Sequence, residues 1–212
     1  MWWIEQKFFF DSRKVSKTLS LAQPDKKMAK IYSAEEGCQF AGRKVLFDTN
    51  VWIAIYGFDP RQNQPKAYSD FFGALGKSDN TIVVNDYVLS EFFNRSCKIE
   101  YDLRCLAARD ENGPELPYFK KYRKSDEFKD FAEGVRDTCL NIIEDGAFEP
   151  VNGSFDIDAL LNEAATGVMD FNDLILREQC RSQGYVVVSH DGDFANCGID
   201  FVTANKRILA GK

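Results

Sequence analysis

Hydrophobic and polar positions become regular at Lys44. In "KVLFDTNVWIAIYG" (44–57) an apolar run stops at Asp48-Thr49-Asn50 and turns apolar again, which predicts a buried strand at 44–48 followed by a short helix. "PKAYSDFFGALGK" (65–77) has the spacing of an amphipathic helix that Gly76 helps to stop, and "TIVVN" (81–85) reads as a second buried strand. Residues 86–107 then keep apolar side chains at helical intervals through Val88, Phe92, Ile99, Leu103 and Leu106.

The following stretch, 108–124, is a loop by its glycine, proline and charge content. Ser125 can cap the next helix, whose Phe128, Phe131, Val135, Cys139 and Ile142 share one face. Residues 147–155 form a Gly/Pro/Asn break before a short helix at 156–165. "MDFNDLILREQCRSQG" (169–184) reads as a capped helix stopped by Gly184, "YVVVSHD" (185–191) as a buried strand, "GDFANCG" as a turn and "IDFVTA" (199–204) as a last strand. Strands separated by helices predict an α/β fold with a central, mostly parallel sheet covered by helices on both faces.

If the strands are parallel, Asp48 and Asp191 leave the sheet at the same edge, just past two strand ends. That edge is where open α/β sheets place ligands. Each acid also has a plainer reading: Asp48 as a helix cap, Asp170 and Asp173 as a cap and a dipole partner on one side of a helix start, Asp193 as part of an Asp-Gly-Asp turn. Glu91 falls one and a half turns into the helix after strand 81–85, beside its inward face. Gathered at one edge, these carboxylates would repel one another unless a cation sat among them. Mg²⁺ or Mn²⁺ suits an all-carboxylate set.

Composition narrows the choices. A chain of 212 residues with 44% hydrophobic content can build one domain with a real core, with additions. The net charge of −6 is unlike a protein that coats nucleic acid by charge alone, although an acidic metal site supplies part of that charge. Six cysteines, at 38, 97, 105, 139, 180 and 197, form no CxxC pair, and His190 is the only histidine. Zinc is thereby poorly served, a disulfide scaffold is not indicated, and a reducing cytosol is expected. The opening "MWWIEQKFFF" carries Glu5 and Lys7 and lacks a small-residue cleavage site, and no apolar run approaches the ~18 residues of a membrane span. A soluble, cytoplasmic protein is expected.

Four stretches, "VLFDTNVWI" (45–53), "VNDYVLSEFFNR" (84–95), "DFNDLILREQC" (170–180) and "VVVSHDGDF" (186–194), resemble in order the four motifs of the PIN-domain nucleases, a family that includes the ribonuclease toxins of bacterial toxin–antitoxin pairs. The resemblance implies a PIN-like three-layer fold and a metal-dependent endonuclease acting on RNA. It implies Asp48, Glu91, Asp173 and Asp191 as the four acids, with Asp193 an accessory ligand and Asp170 an alternative to Asp173. The apolar "LIL" after Asp173 favours Asp173. By the same resemblance Asn50 takes the place of the polar residue that steadies the first acid, also capping the turn, and Ser189 that of the small hydroxyl residue two before the fourth. His190 is expected to be an incidental loop residue, because metal-bound water needs no histidine for activation. Lys206, Arg207 and "FKKYRK" (119–124) are candidate phosphate contacts.

The motifs span about 44–205. Residues 1–42, with Trp2, Trp3, Phe8, Phe9 and Phe10, read as an N-terminal extension to a domain at 43–212, and 107–165 as a helical insertion within it. Either addition could cap the site or build a protein interface, with an antitoxin or a second copy as partner. The competing readings are a catalytically silent member of the same fold that binds RNA or protein, and a phosphatase of the DxDxT type. The second is disfavoured because Asn50 stands where that motif needs its second acid.

Overall fold

The computed structural model describes residues 29–61, 66–153 and 155–211. The aromatic cluster at Trp2, Trp3 and Phe8–Phe10 lies outside them. Within the described residues one sheet of six strands, all parallel, runs in the order β1 (Ile31–Ser33), β6 (Phe201–Thr203), β5 (Val186–Val188), β2 (Lys44–Phe47), β3 (Thr81–Val84), β4 (Ala147–Phe148). Helices α1 (Thr49–Tyr56), α2 (Ala67–Leu75), α3 (Asp86–Asp110), α4 (Phe119–Tyr122), α5 (Asp126–Asp145), α6 (Ile157–Ala164), α7 (Phe171–Gln183) and α8 (Lys206–Leu209) flank it. The α/β expectation holds, and the sheet is parallel throughout rather than mostly.

Consecutive buried positions explain why. Val45, Leu46 and Phe47, and likewise Val186, Val187 and Val188, are all fully buried, so both faces of these central strands are covered. That is the signature of a parallel sheet between helices. Trp52 of α1 packs on Phe47 with ring centroids 5.1 Å apart, and Phe92 of α3 and Leu174 of α7 are fully buried. Each such side chain contributes about 1.5–3 kcal/mol when taken out of water. Helices α1 and α7 end on Gly57 and Gly184, both at φ 68°, where a left-handed residue closes the last turn. Gly76 ends α2 as expected, with right-handed backbone.

Two strands differ from the sequence reading. Ile31–Ser33, within the stretch read as an extension, is an edge strand paired in parallel with β6. Ala147–Phe148, read as part of a break, pairs in parallel with β3. Neither is long enough to show periodicity, so pairing with an existing strand decides both. Gly146 lets β4 approach: a Cβ there would meet Val84 Cγ2 at 3.0 Å and the Ile82 carbonyl oxygen at 3.1 Å.

The helices also depart from expectation in detail. Helix α3 runs three residues past the predicted end, to Asp110, with ion pairs Lys98–Asp102 and Glu100–Arg104 along its exposed side. The predicted loop that follows holds the single turn of α4, whose Phe119 and Tyr122 rings lie 5.2 and 5.4 Å from Tyr101. Ser125 caps α5 by accepting from the Phe128 amide at 3.2 Å, and Phe128, Val135 and Ile142 are buried, as their spacing predicts. Among the described residues no helix is long and apolar enough to cross a membrane.

Candidate functional site

The chain leaves β2 for β3 on one side and β5 for β6 on the other, so the strand order reverses between β2 and β5. A crevice opens at such a switch point outside the carboxyl ends of the strands, because the two connections diverge. Phe47 and Val188 are register partners, and therefore Asp48 and Ser189 emerge side by side.

Asp48 is buried, 4% exposed, and both of its carboxylate oxygens accept hydrogen bonds. Its Oδ1 accepts from the Thr49 amide at 2.6 Å, so the carboxylate caps α1. Its Oδ2 accepts from Asn50 Nδ2 at 2.5 Å and from the Ser189 hydroxyl at 2.7 Å. The plainer reading of Asp48 as a helix cap therefore holds, whereas Asn50, also expected to cap the turn, does not, since its Oδ1 is taken by the His190 amide at 3.0 Å. Asn50 instead ties the two strand ends together, donating also to Ser189 Oγ at 3.0 Å.

The turn after β5 is held by the same group. The Asp191 amide donates to Ser189 Oγ at 2.9 Å, and the Asp193 amide to Asp191 Oδ1 at 3.2 Å. Asn205 Nδ2 donates to the His190 carbonyl at 2.9 Å. His190 Nδ1 lies 2.8 Å from the hydroxyl of buried Tyr68, which also accepts from the Ala204 amide at 3.1 Å. His190 is therefore anchored through its ring. Burial pushes its pKa down, with Asp191 opposing.

Glu91 and Asp173 arrive on helices. Asn85 caps α3, accepting from the Val88 amide at 2.7 Å, and its Nδ2 donates to Gln179 of α7 at 2.7 Å. Both side chains are buried, so this bond fixes the start of α3 against α7. Asp48, Asn50, Glu91, Arg95, Asp170, Phe171, Asn172, Asp173 and Asp191 line one cleft of about 550 Å³. Asp193 joins from the rim: oxygens of Asp173, Asp191 and Asp193 lie within 4.8 Å of one another. Asp170 occupies the cap position of α7 without a capping side-chain bond, and it is exposed, whereas Asp173 is half-buried.

Crowding has an electrostatic cost. Burial first, then the charges of Asp48, Glu91, Asp191 and Asp170, push the Asp173 carboxyl up to about 8. Asp48 is raised to about 6, mainly by burial, against the Ser189 hydrogen bond that favours its charged form. Asp193 is raised by burial and by Asp191 and Asp170. An assembly of oxygens that resists its own ionisation is suited to a hard divalent cation, and the donor set, oxygen throughout, fits Mg²⁺ or Mn²⁺ better than zinc.

Lys206 and Arg207 are exposed on α8, which follows β6 at the same edge of the sheet. Ile208 of that helix approaches Gly192, beside Asp191. The 119–124 stretch instead packs beside Tyr101, ten residues beyond Glu91 and therefore about 15 Å along α3. Sequence reasoning missed Arg95, Phe171 and Asn172 in the cleft, and Tyr68, Asn85, Gln179 and Asn205 behind it. Arg95 left a local trace in its i, i+4 spacing from Glu91, and Asn85 in its place between a strand and a helix.

No protein-family model and no curated protein matches this chain. Among solved structures it is similar to a chain in the crystal structure of VapBC2 from Rickettsia felis bound to a DNA fragment from their promoter. The match has 15% sequence identity, covers 74% of this chain and 96% of that chain, and has a TM-score of 0.47.

Proposed function

We propose that this protein is a PIN-type, metal-dependent endonuclease that hydrolyses phosphodiester bonds in RNA. The observation that supports it most is the convergence of Asp48, Glu91, Asp173 and Asp191, from four separate places in the sequence, on one cleft at the switch point of a parallel sheet. These are the acids that the motif resemblance picks out.

In this reading Asp173, Asp191 and Asp193, whose oxygens lie within 4.8 Å of one another, would hold Mg²⁺ or Mn²⁺ together with Asp48 and Glu91 of the same cleft, with Asp170 as an outlying ligand. Such an ion, when bound, supplies an acidified water and a positive field for the phosphate. Ser189 and Asn50 orient the Asp48 carboxylate by hydrogen bonds, so that its lone pairs face the cleft in one fixed geometry. Asn85 and Gln179 keep Glu91 and Asp173 at a constant separation by joining their helices. Lys206 and Arg207 would meet backbone phosphates flanking the cut. A protein partner, antitoxin or second copy, belongs to this reading on the motif resemblance alone.

The test is incubation of structured and unstructured RNA, and of DNA, with the wild type and Asp48→Asn in Mg²⁺, Mn²⁺ or EDTA. RNA cleavage by the wild type that EDTA and Asp48→Asn both abolish supports the reading. RNA binding without cleavage under every metal condition would replace it with the silent binding module.

A further inference from the structure

The cleft carries one feature that an acid cluster alone does not require. Among the described residues Arg95 is the only cationic side chain lining it, on the helical turn after Glu91, and its Nη1 donates to Glu91 Oε1 at 3.1 Å. The pair is partly exposed, 45% for Arg95 and 27% for Glu91. An exposed i, i+4 pair adds little to stability, so the fold does not need it. The guanidinium has five N–H donors in a planar fork, and Glu91 engages one of them. Its positive charge also reaches Asp48, where it opposes the upward push of burial.

Resting on the nuclease reading, we propose that Arg95 is a phosphate-binding residue held in reserve by Glu91. With the cleft free of metal, the guanidinium partly neutralises the acids and occupies the carboxylate that a cation needs. Glu91 is among the residues that would hold the cation, and a Glu91 so engaged would leave Arg95 without its carboxylate partner. Its fork is then free to take two nonbridging oxygens of the RNA phosphate beside the cut, a geometry that guanidinium and phosphate share. Metal loading and substrate binding are thereby linked through one side chain. A lysine could neutralise the acids but could not offer the two-pronged contact.

The test compares the wild type with Arg95→Gln and Arg95→Lys in two measurements that do not depend on turnover. Calorimetric titration with Mn²⁺ alone is expected to show roughly fivefold tighter binding to Arg95→Gln, since a competing charge a few ångströms away is gone. Fluorescence anisotropy with a labelled single-stranded RNA in Ca²⁺ is expected to show about tenfold weaker binding to the same variant, with a salt dependence lower by about one phosphate contact. Arg95→Lys should fall between in RNA binding. Equal or weaker Mn²⁺ binding to Arg95→Gln overturns the reserve, and unchanged RNA binding overturns the phosphate contact. If the wild type neither binds nor cuts RNA, the nuclease reading and the phosphate contact fall together, while the Mn²⁺ titration still decides whether Arg95 competes for Glu91.

Discussion

Ser189 donates its hydroxyl hydrogen to Asp48 at 2.7 Å across a sequence separation of 141 residues, and its oxygen in turn accepts from the Asp191 amide. One hydroxyl therefore orients the first acid and shapes the turn that carries the fourth. Ser189→Ala should leave Asp48 Oδ2 short of a donor in a buried place, costing about 1–3 kcal/mol in urea unfolding. Where the site is a nuclease, the same change is expected to lower cleavage about 10–100-fold, the usual range for a residue that orients a metal ligand. Unchanged stability and rate would mean that Asn50 alone suffices.

Asp173→Asn should abolish cleavage while raising the stability of the metal-free protein. Asp173 sits among four other acids, so an amide there relieves repulsion without removing volume. At pH 8 the expected rise in melting temperature is about 3–6 °C. A fall would show that the carboxylate is held by contacts stronger than the repulsion.

Metal-free stability should decrease as pH rises. Asp173 at about 8 and Asp48 at about 6 both lie above the ~3.9 of an unfolded aspartate. Below about pH 4 both carboxyls are protonated, folded or not, and stability is at its fullest from this source. From there upward the unfolded chain gives up its protons first, and the loss is complete once pH passes about 8. Melts in EDTA at pH 5.5 and pH 8.5 should therefore show the lower midpoint at pH 8.5. Added Mn²⁺ should raise the midpoint more at pH 8.5 than at pH 5.5, because protons compete with the cation for the same oxygens. A rising midpoint between those pH values in EDTA would sink the crowded-acid account.

Lys206→Ala with Arg207→Ala is expected to weaken RNA binding several-fold without altering the melting temperature by more than a degree or so, both side chains being exposed on a four-residue helix. A plot of log affinity against log salt should lose about two units of slope if each side chain meets a phosphate. An unaltered slope would remove them from the RNA path.

Asn85→Ala should be the most disruptive of the supporting changes. It removes the cap of α3 and strands Gln179 of α7 in a buried place, which together cost about 2–4 kcal/mol. If cleavage falls by more than the loss of folded protein explains, as measured by active-site titration with Mn²⁺, the bond positions Glu91 against Asp173 in addition to holding the helices.

Much of the fold was legible because it is written in short-range chemistry. Val45–Phe47 and Val186–Val188 are consecutive apolar runs that only a strand covered on both faces can bury, and Ser125 and Gly184 mark helix ends by what their side chain and backbone do locally. β1 and β4 were not legible. Three and two residues carry no period, and each becomes a strand only because a neighbouring edge offers it hydrogen bonds.

By itself the sequence determined which acids stand just past strand ends and at helix starts, because a strand of known polarity and a helix of known period place Asp48, Glu91, Asp173 and Asp191 along the chain. Only the tertiary structure decided their relations. The order of the strands put the reversal between β2 and β5, so that Asp48 met Ser189 and Asn50 met His190. Burial and the neighbouring charges of Asp48, Glu91, Asp191 and Asp170 made Asp173 the crowded member, in a cleft that Arg95 also lines. The reason is range: capping, turns and periodicity act over a few residues, whereas charge repulsion and hydrogen bonding between chain-distant groups depend on separations that exist only once the sheet has chosen its order.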